Sequence, residues 1–570
     1  MPISSSQRRV LVAAVALLVL CSGCAVLPPE RTAEAVPPAA QPFGSRLLGA
    51  SRDPSARGPH RYRVFRYASP HNPRRPSYAV DRIELVTRPV DVSAFVSGVD
   101  EAFWGYDETR APLNAIVWMP NGPGPYPLAI IAHGNHPPHD FSEGGYGYLG
   151  EHLASHGIAA VSVDENFLNF VDDESDARAV ILLEHLRCLH AWTRDAHTPL
   201  FERLDLSKIA LIGHSRGGSA AVHASIFNDR PPASADGSVG SHNGYAIRAV
   251  VALAAVEGRY RPRGRESVLP PDVDYLSIHG TLDGDVTAHL GLRYFYRGSV
   301  ATESFRVAAT LHGANHARFN TEWARVQDPR PTLIGNLLSG REQRRTATGL
   351  VTAFLFASFD LRPELRDAFL DPRGAVFLPE TLLRTVCRYG DSEPITGFEG
   401  GPGLSRSASG WTIEAAGLPD LRKTYLPLRT DEERMTENRA LRVNLSPSGR
   451  GGRAVGVLTF VAPDPIPATA VLFDLAVEDA GSATAPVPLE VVVRTSEGEH
   501  RCALATLYDL RPIPSAHLLT GPARHVASQT IYIPIEAFGL TGPTAVVEVE
   551  LRLGASERTE VYLDNVRLRS

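Results

Sequence analysis

Residues 213–217, Gly213-His214-Ser215-Arg216-Gly217, set one serine between two glycines at the end of the apolar run Ile209 to Ile212. A serine hydroxyl is a weak nucleophile and needs a base, which in turn needs an orienting acid. Two later stretches offer them. "HGTLDGDV" (279–286) supplies Asp283, with Asp285 as the alternative acid, and "HGANHARF" (312–319) supplies His316, with His312 as its competitor. Asp283 stands at a strand tip, three residues after Gly280, whereas Asp285 lies further round the loop. His312 is still at the strand's end, before a Gly-Ala turn. The order serine, acid, histidine suits acyl transfer through Ser215, Asp283 and His316.

A developing oxyanion would need two N–H donors. The Arg216 amide opens the helix after the serine, where the helix dipole also favours negative charge. "AHGNHPPHD" (132–140) ends an early strand and offers the Asn135 amide as the second. The same stretch holds His133, His136, His139 and Asp140, which raises a metal site as an alternative. Pro137-Pro138 forbids a helix there, and the spacing of three suits neither a helical zinc pair nor a zinc finger. No metal is expected, and the histidines are expected at the mouth of a pocket.

The elements that must position these groups are legible as alternation. Between about 110 and 360, apolar runs such as "YPLAIIAHG", "IAAVSVD", "IALIGHS", "IRAVVALAAV", "DYLSIHG" and "SFRVAATLHG" alternate with helical patterns. Continuously apolar strands separated by helices predict a mostly parallel sheet with helices on both faces. Near residue 390 the pattern changes to short, turn-punctuated alternating segments, which predict an all-β sandwich. The expected division is residues 46–385 for the α/β unit with its N-terminal strands and 390–570 for the sandwich. Each is large enough to hold its own core, so a chain cut at 385 is expected to fold and keep its chemistry.

The first residues read as an export signal. Arg8 and Arg9 precede an apolar run, Val10 to Leu20, too short to span a bilayer. Ser22-Gly23-Cys24 resembles a bacterial lipoprotein signal in which Cys24 is lipidated, although Cys21 stands where leucine is usual; ordinary secretory cleavage is the alternative. Residues 1–24 are thus expected to be a signal peptide and 25–45, rich in proline and alanine, a linker. Membrane contact is expected only through that anchor. Net charge is −6, without basic blocks, which argues against a nucleic-acid partner. Beyond the signal, Cys188, Cys387 and Cys502 remain; an odd count is no disulfide framework, and a Cys387–Cys502 pair is left open.

On His133-Gly134-Asn135, "YLGEHLASHGIAAVSVD", "GHSRGG", "GTLDGDV" and "GANHARF", residues 110–360 resemble an α/β-hydrolase of the dienelactone hydrolase, chlorophyllase and cutinase-like group. The chain departs from dienelactone hydrolases in using serine rather than cysteine. The resemblance implies a serine hydrolase acting on small-molecule or polymeric carboxylic esters, with no cofactor. The strands ending in "VYLDNVRLRS" resemble the jelly-roll sandwiches of carbohydrate-binding modules, which implies glycan or envelope contact. Two rival readings stay open: a peptidase or amidase on the same scaffold, and a non-catalytic glycan-binding surface protein.

Overall fold

The computed structural model describes residues 53–69, 74–230, 244–257, 270–301, 304–323, 337–371, 383–399, 403–429, 434–447, 452–478, 486–508, 510, 512–513, 516–518, 521–523 and 525–570. The expected signal peptide, Cys24 and the 25–45 linker lie outside the described residues. Among the described residues, no helix is long and apolar enough to cross a membrane.

Ten strands form one sheet. In chain order they are β1 (Tyr62–Ala68), β2 (Leu85–Val86), β3 (Ala115–Pro120), β4 (Tyr126–Ala132), β5 (Ala159–Val163), β6 (Leu204–His214), β7 (Ile247–Leu253), β8 (Asp274–Gly280), β9 (Phe305–Leu311) and β10 (Leu383–Tyr389). Across the sheet the order is β10-β9-β8-β7-β6-β4-β5-β3-β1-β2. The six strands from β9 to β5 run parallel, with helices in the described connections other than that between β7 and β8, while β3 and β10 pair antiparallel at the two sides.

The apolar character of these strands follows from cover on both faces. Ala129 and Ile131 of β4 join Ile212 and Val251 under helices Gly147–Ser155 and Gly340–Ser358. Leu128 and Ile130 face the other way, with Leu211 and Val250, under helices Ser175–Trp192, Arg216–Asp229 and Gly291–Arg297. Alternate residues of one strand thus feed two separate cores, and neither set can be polar.

The second unit is two antiparallel sheets. One runs β13 (Leu421–Arg429), β14 (Arg434–Leu445), β23 (Thr559–Arg569), β16 (Ala470–Glu478), β21 (Gln529–Pro534), with β11 (Ser392–Thr396) also on β23. The other runs β12 (Thr412–Ala416), β15 (Ala454–Ala468), β22 (Thr544–Ala555), β17 (Leu489–Thr495), β18 (Gly498–Ala503); a small hairpin, β19 (Ala516–Leu518) and β20 (Gly521–Ala523), stands apart. Trp411, Phe460, Phe473, Leu551 and Leu563 fill the space between the two larger sheets.

The expected boundary at 385 falls inside β10. This strand closes the first sheet against β9, and β11 enters the second unit three residues later. The outward edge of β10 is satisfied by sandwich side chains. Gln529 Oε1 accepts the Thr385 N–H at 3.0 Å, Thr530 Oγ1 accepts the Cys387 N–H at 2.9 Å, and Arg567 donates to the Cys387 carbonyl at 2.7 Å. An exposed edge strand invites pairing with another chain, and here side chains occupy it. A cut at 385 would both split β10 and strip that cover, contrary to the independent folding expected from sequence.

Cys387 and Cys502 do not pair. Neither is in a disulfide, and both are buried, Cys387 in the first unit's core and Cys502 in the sandwich's; Cys188, also outside any disulfide, is half-buried.

Candidate active site

Ser215 sits between β6 and helix Arg216–Asp229 with φ 57° and ψ −123°, a conformation unusual for any residue with a Cβ. Such strain costs about 1–3 kcal/mol and persists only where surrounding bonds over-determine it. They do so here. The Ser215 N–H donates to Leu253 O of β7 at 2.9 Å, and its carbonyl accepts from Gly218 (3.0 Å) and Val256 (3.3 Å). The flanking glycines are sterically required. A Cβ on Gly213 would strike the backbone of Gly217, and one on Gly217 would come within 2.6 Å of the His133 carbonyl. Gly134 lies directly against the serine: a Cβ there would be 2.5 Å from Ser215 Cβ and 3.1 Å from its Oγ. The β4 loop and the serine turn are therefore in van der Waals contact through glycine alone.

Asp283 and His316 meet at the ends of neighbouring strands β8 and β9. His316 Nδ1 donates to Asp283 Oδ2 at 2.8 Å. The other carboxylate oxygen accepts the Asp285 and Val286 N–H groups at 3.0 and 2.7 Å, so the acid is clamped on both sides. Burial pushes the Asp283 carboxyl above its usual range, against the downward pull of His316. Asp285 occupies the opposite side of the imidazole, 3.5 Å from Nε2, with its side chain half exposed. The two candidate acids thus flank one ring, and only Asp283 holds the buried Nδ1 side. His312 instead shares a 3.2 Å hydrogen bond with Thr281 Oγ1.

Two rings that sequence reasoning did not single out wall this imidazole. His214 packs on His316 at 4.8 Å between centroids, shares a 2.9 Å hydrogen bond with the Tyr146 hydroxyl, and is held well below the usual histidine range by burial and then by His316. Trp323 lies against His214 at 4.7 Å and nearly parallel to His316 at 6.1 Å. Its indole N–H donates to Ser142 Oγ at 2.8 Å. The Gly-x-Ser-x-Gly spacing marks position 214 but says nothing of its ring contacts, and Trp323 lies in a stretch without periodic signal.

The histidines of 133–140 do not all line a mouth. His133 is fully buried: its Nε2 accepts the Glu165 N–H at 2.9 Å, which leaves Nδ1–H to donate to the Gly134 carbonyl at 2.7 Å. Burial and then Arg178 push it down to about 3, so it is neutral at physiological pH. His136 stacks on Trp323 at 4.9 Å and pairs with Asp140 at 3.3 Å, while the His139 side chain is 73% exposed. Among the described residues, no group of three or more His, Cys, Asp or Glu side chains is placed to hold a metal ion.

Asn135 Oδ1 accepts the Phe170 N–H at 2.7 Å, and the Arg216 guanidinium donates to Glu174 Oε1 at 2.7 Å. Phe170 itself has φ 61° and is 63% exposed. Glu174, Arg216, Ser219, His223 and Glu257 line an open cleft beside the serine turn.

Comparison with known proteins covers part of the chain. A family model described as Chlorophyllase matches residues 95–236, which carry β3 to β6, Asn135, Ser215 and Arg216. Over 84 residues the chain is 33% identical to Cutinase 2 of Thermobifida cellulosilytica, Cutinase est1 of Thermobifida alba and Cutinase cut1 of Thermobifida fusca, which is 15% of this chain and 29%, 26% and 24% of theirs. The chain therefore spans about a quarter of the length of the curated relatives it matches. Both matches support the serine-esterase superfamily, and the C-terminal β unit agrees with the two sheets described above.

Proposed function

We propose that this chain is a serine hydrolase that cleaves carboxylic esters through an acyl-enzyme, on an α/β-hydrolase scaffold. The observation that carries the reading is the strained Ser215 turn standing on the same sheet edge as the 2.8 Å Asp283–His316 hydrogen bond. In the proposed reaction Ser215 Oγ attacks the ester carbonyl carbon while His316 Nε2 takes the hydroxyl proton. The carbonyl oxygen becomes an oxyanion received by the Asn135 and Arg216 amides. Collapse breaks the carbon–oxygen bond of the ester, and the imidazolium protonates the departing alcohol. Water, deprotonated by the same imidazole, then releases the acid and frees Ser215. Asp283 fixes the tautomer that leaves Nε2 free as base and stabilises the imidazolium. The His214 and Trp323 rings keep water from the imidazole's flanks.

Labelling of Ser215 by a fluorophosphonate, with hydrolysis of p-nitrophenyl esters of graded chain length, tests the reading. Labelling that fails, or hydrolysis that survives in Ser215→Ala, sinks it. Activity is expected to survive EDTA; its loss on chelation and return with zinc would favour a metal mechanism. Anilide substrates separate the amidase alternative, which gains if they turn over as fast as the esters. The sequence before residue 46 supports export with an anchor at Cys24: Cys24→Ala should move the enzyme from the membrane to the soluble fraction. The sandwich is read as a contact for glycan or envelope, and retention on insoluble polysaccharide is its test.

A further inference from the structure

Arg178 lies in helix Ser175–Trp192 with no exposed surface, and it contacts four residues: His133 after β4, Glu165 and Asn169 in the loop after β5, and Glu174 at the cap of its own helix. Its Nη1 donates to Glu165 Oε2 at 3.1 Å and reaches the His133 carbonyl at 3.4 Å; Nη2 donates to Asn169 Oδ1 at 2.9 Å; Nε lies 3.5 Å from Glu174 Oε1. Three of these contacts lead toward the two amides assigned to the oxyanion. His133 and Asn169 flank the first: His133 precedes Gly134-Asn135, and Asn169 precedes Phe170, whose N–H is held by Asn135. Glu174 leads to the second, because the oxygen that faces Arg178 also accepts from the Arg216 guanidinium.

A buried guanidinium costs several kcal/mol of desolvation, and replacing a whole buried ion pair by apolar side chains of similar volume is often neutral or stabilising. Fold stability alone is therefore a poor reason for this arrangement. Its geometry supplies another: a rigid planar fork fixes distances between the elements it bridges, which a flexible ammonium does not. We propose that Arg178, acting through Glu174 and Asn169, is a positioning residue that sets the Asn135 and Arg216 amides relative to each other, so that the oxyanion hole is formed before substrate arrives. The inference rests on the ester-hydrolase reading above. It assigns Arg178 no contact with substrate. A preformed pair of donors acts on the charge that develops in the transition state and little on the bound ester, so its loss falls on kcat.

The test compares Arg178→Lys, Arg178→Met and Glu174→Gln with the exposed helix variant Arg187→Met in the full chain. Melting temperature, kcat and KM on a p-nitrophenyl ester, and the inhibition constant of an alkyl boronic acid are measured together. A displacement on the order of 1 Å at a reacting centre costs up to about 100-fold. We expect kcat to fall about 10- to 100-fold in the folded Arg178 variants, less in Glu174→Gln, and not in Arg187→Met. KM should stay within about twofold of wild type. The boronic acid, whose adduct with Ser215 is tetrahedral, should weaken in parallel with kcat. Wild-type kcat in a folded Arg178 variant overturns the proposal, as does a loss confined to KM or a boronate affinity that does not follow kcat. Failure of all three variants to fold would assign Arg178 to the core and overturn it too. Ser215→Ala separates the levels: if it stays active the esterase reading fails, and if it is dead while Arg178 variants are wild type, only the positioning role fails.

Discussion

Arginine–carboxylate pairs near the serine turn and those on the outer face of the sandwich stand in opposite settings. Around the serine turn they are buried. Arg75 pairs with Glu143 and, at 3.0 Å, with Asp164, and Arg178 with Glu165 at 3.1 Å, all with essentially no exposed side chain. On the outer face of the sandwich they form a ladder across β18, β17 and β22: Arg494 stands between Glu499 and Glu548 in register, and Glu490 stands opposite Arg552. The ladder is partly solvated, with the Arg494 side chain 40% exposed, and its stems cover Val492. The difference teaches that pair chemistry alone predicts little. An exposed pair is screened and is worth about 0–1 kcal/mol, whereas breaking a buried one leaves a bare charge at a cost of about 3–5 kcal/mol. Charges held at that risk include Arg75 and Arg178 in the serine-bearing half and the Arg567–Asp474 pair inside the sandwich, whereas the ladder stays at the solvent.

The largest expected effect would break the comparison outright if absent. Ser215→Ala or His316→Ala should lower kcat by about 10⁴- to 10⁶-fold, while substitutions along the sandwich ladder leave it unchanged. Ladder variants that cost as much would move the chemistry to the other half. Next come the two acids. Asp283→Asn should cost on the order of 10⁴ in kcat by presenting the wrong tautomer, and Asp285→Asn less than about tenfold, because Asp285 is half exposed and lies on the Nε2 side. The reverse ranking would make Asp285 the orienting acid.

Denaturant melts sharpen the energetic side. Arg75→Met, which strands Glu143 and Asp164, should lose about 3–5 kcal/mol, and Arg494→Met under about 1 kcal/mol. Equal losses would refute the burial argument. The smallest effect concerns pH. Burial, opposed by Arg178, pushes Glu165 up to about 7. The folded state therefore binds the proton more tightly than an unfolded glutamate, whose value is about 4.3, and stability should fall as pH rises across that window, then level off. Glu165→Gln should flatten this slope; a slope unchanged by the substitution would mean that Glu165 does not titrate there.

Much of the first unit was legible because its signals are local. A serine between glycines at a strand end, and acids and histidines just past later strands, can be named from spacing, and Asp283 and His316 indeed meet. Arg178 and Arg75 were not legible, since their partners lie on other elements: Arg178 reaches back 45 residues to His133 and Arg75 forward 68 to Glu143. His133 illustrates the same gap. Its residue type suggested a pocket wall or ligand, but only the fold shows both ring nitrogens committed to backbone groups. Among the strands not picked out from sequence are β13 and β14, whose outer residues are polar, and β10, a seven-residue strand between the two composition regimes. Trp411, just before β12, is packed in the core between the sheets.

The occupied edge of β10 has a consequence for the order of events as the chain is made. Strands β1 to β9 can associate once roughly the first 320 residues exist, yet β10 lies some seventy residues further on. The groups that close its edge come later still, from Gln529 and Thr530 on β21 and from Arg567 on β23, the last strand in chain order. Throughout that interval a chain emerging amino end first would carry an apolar sheet with one unclosed side, which favours pairing with its neighbours at high concentration. Completion of the serine-bearing half thus waits on the final strand of the other half. A stop codon ahead of β23 should yield aggregated rather than soluble inactive protein, although every proposed catalytic residue has already been translated.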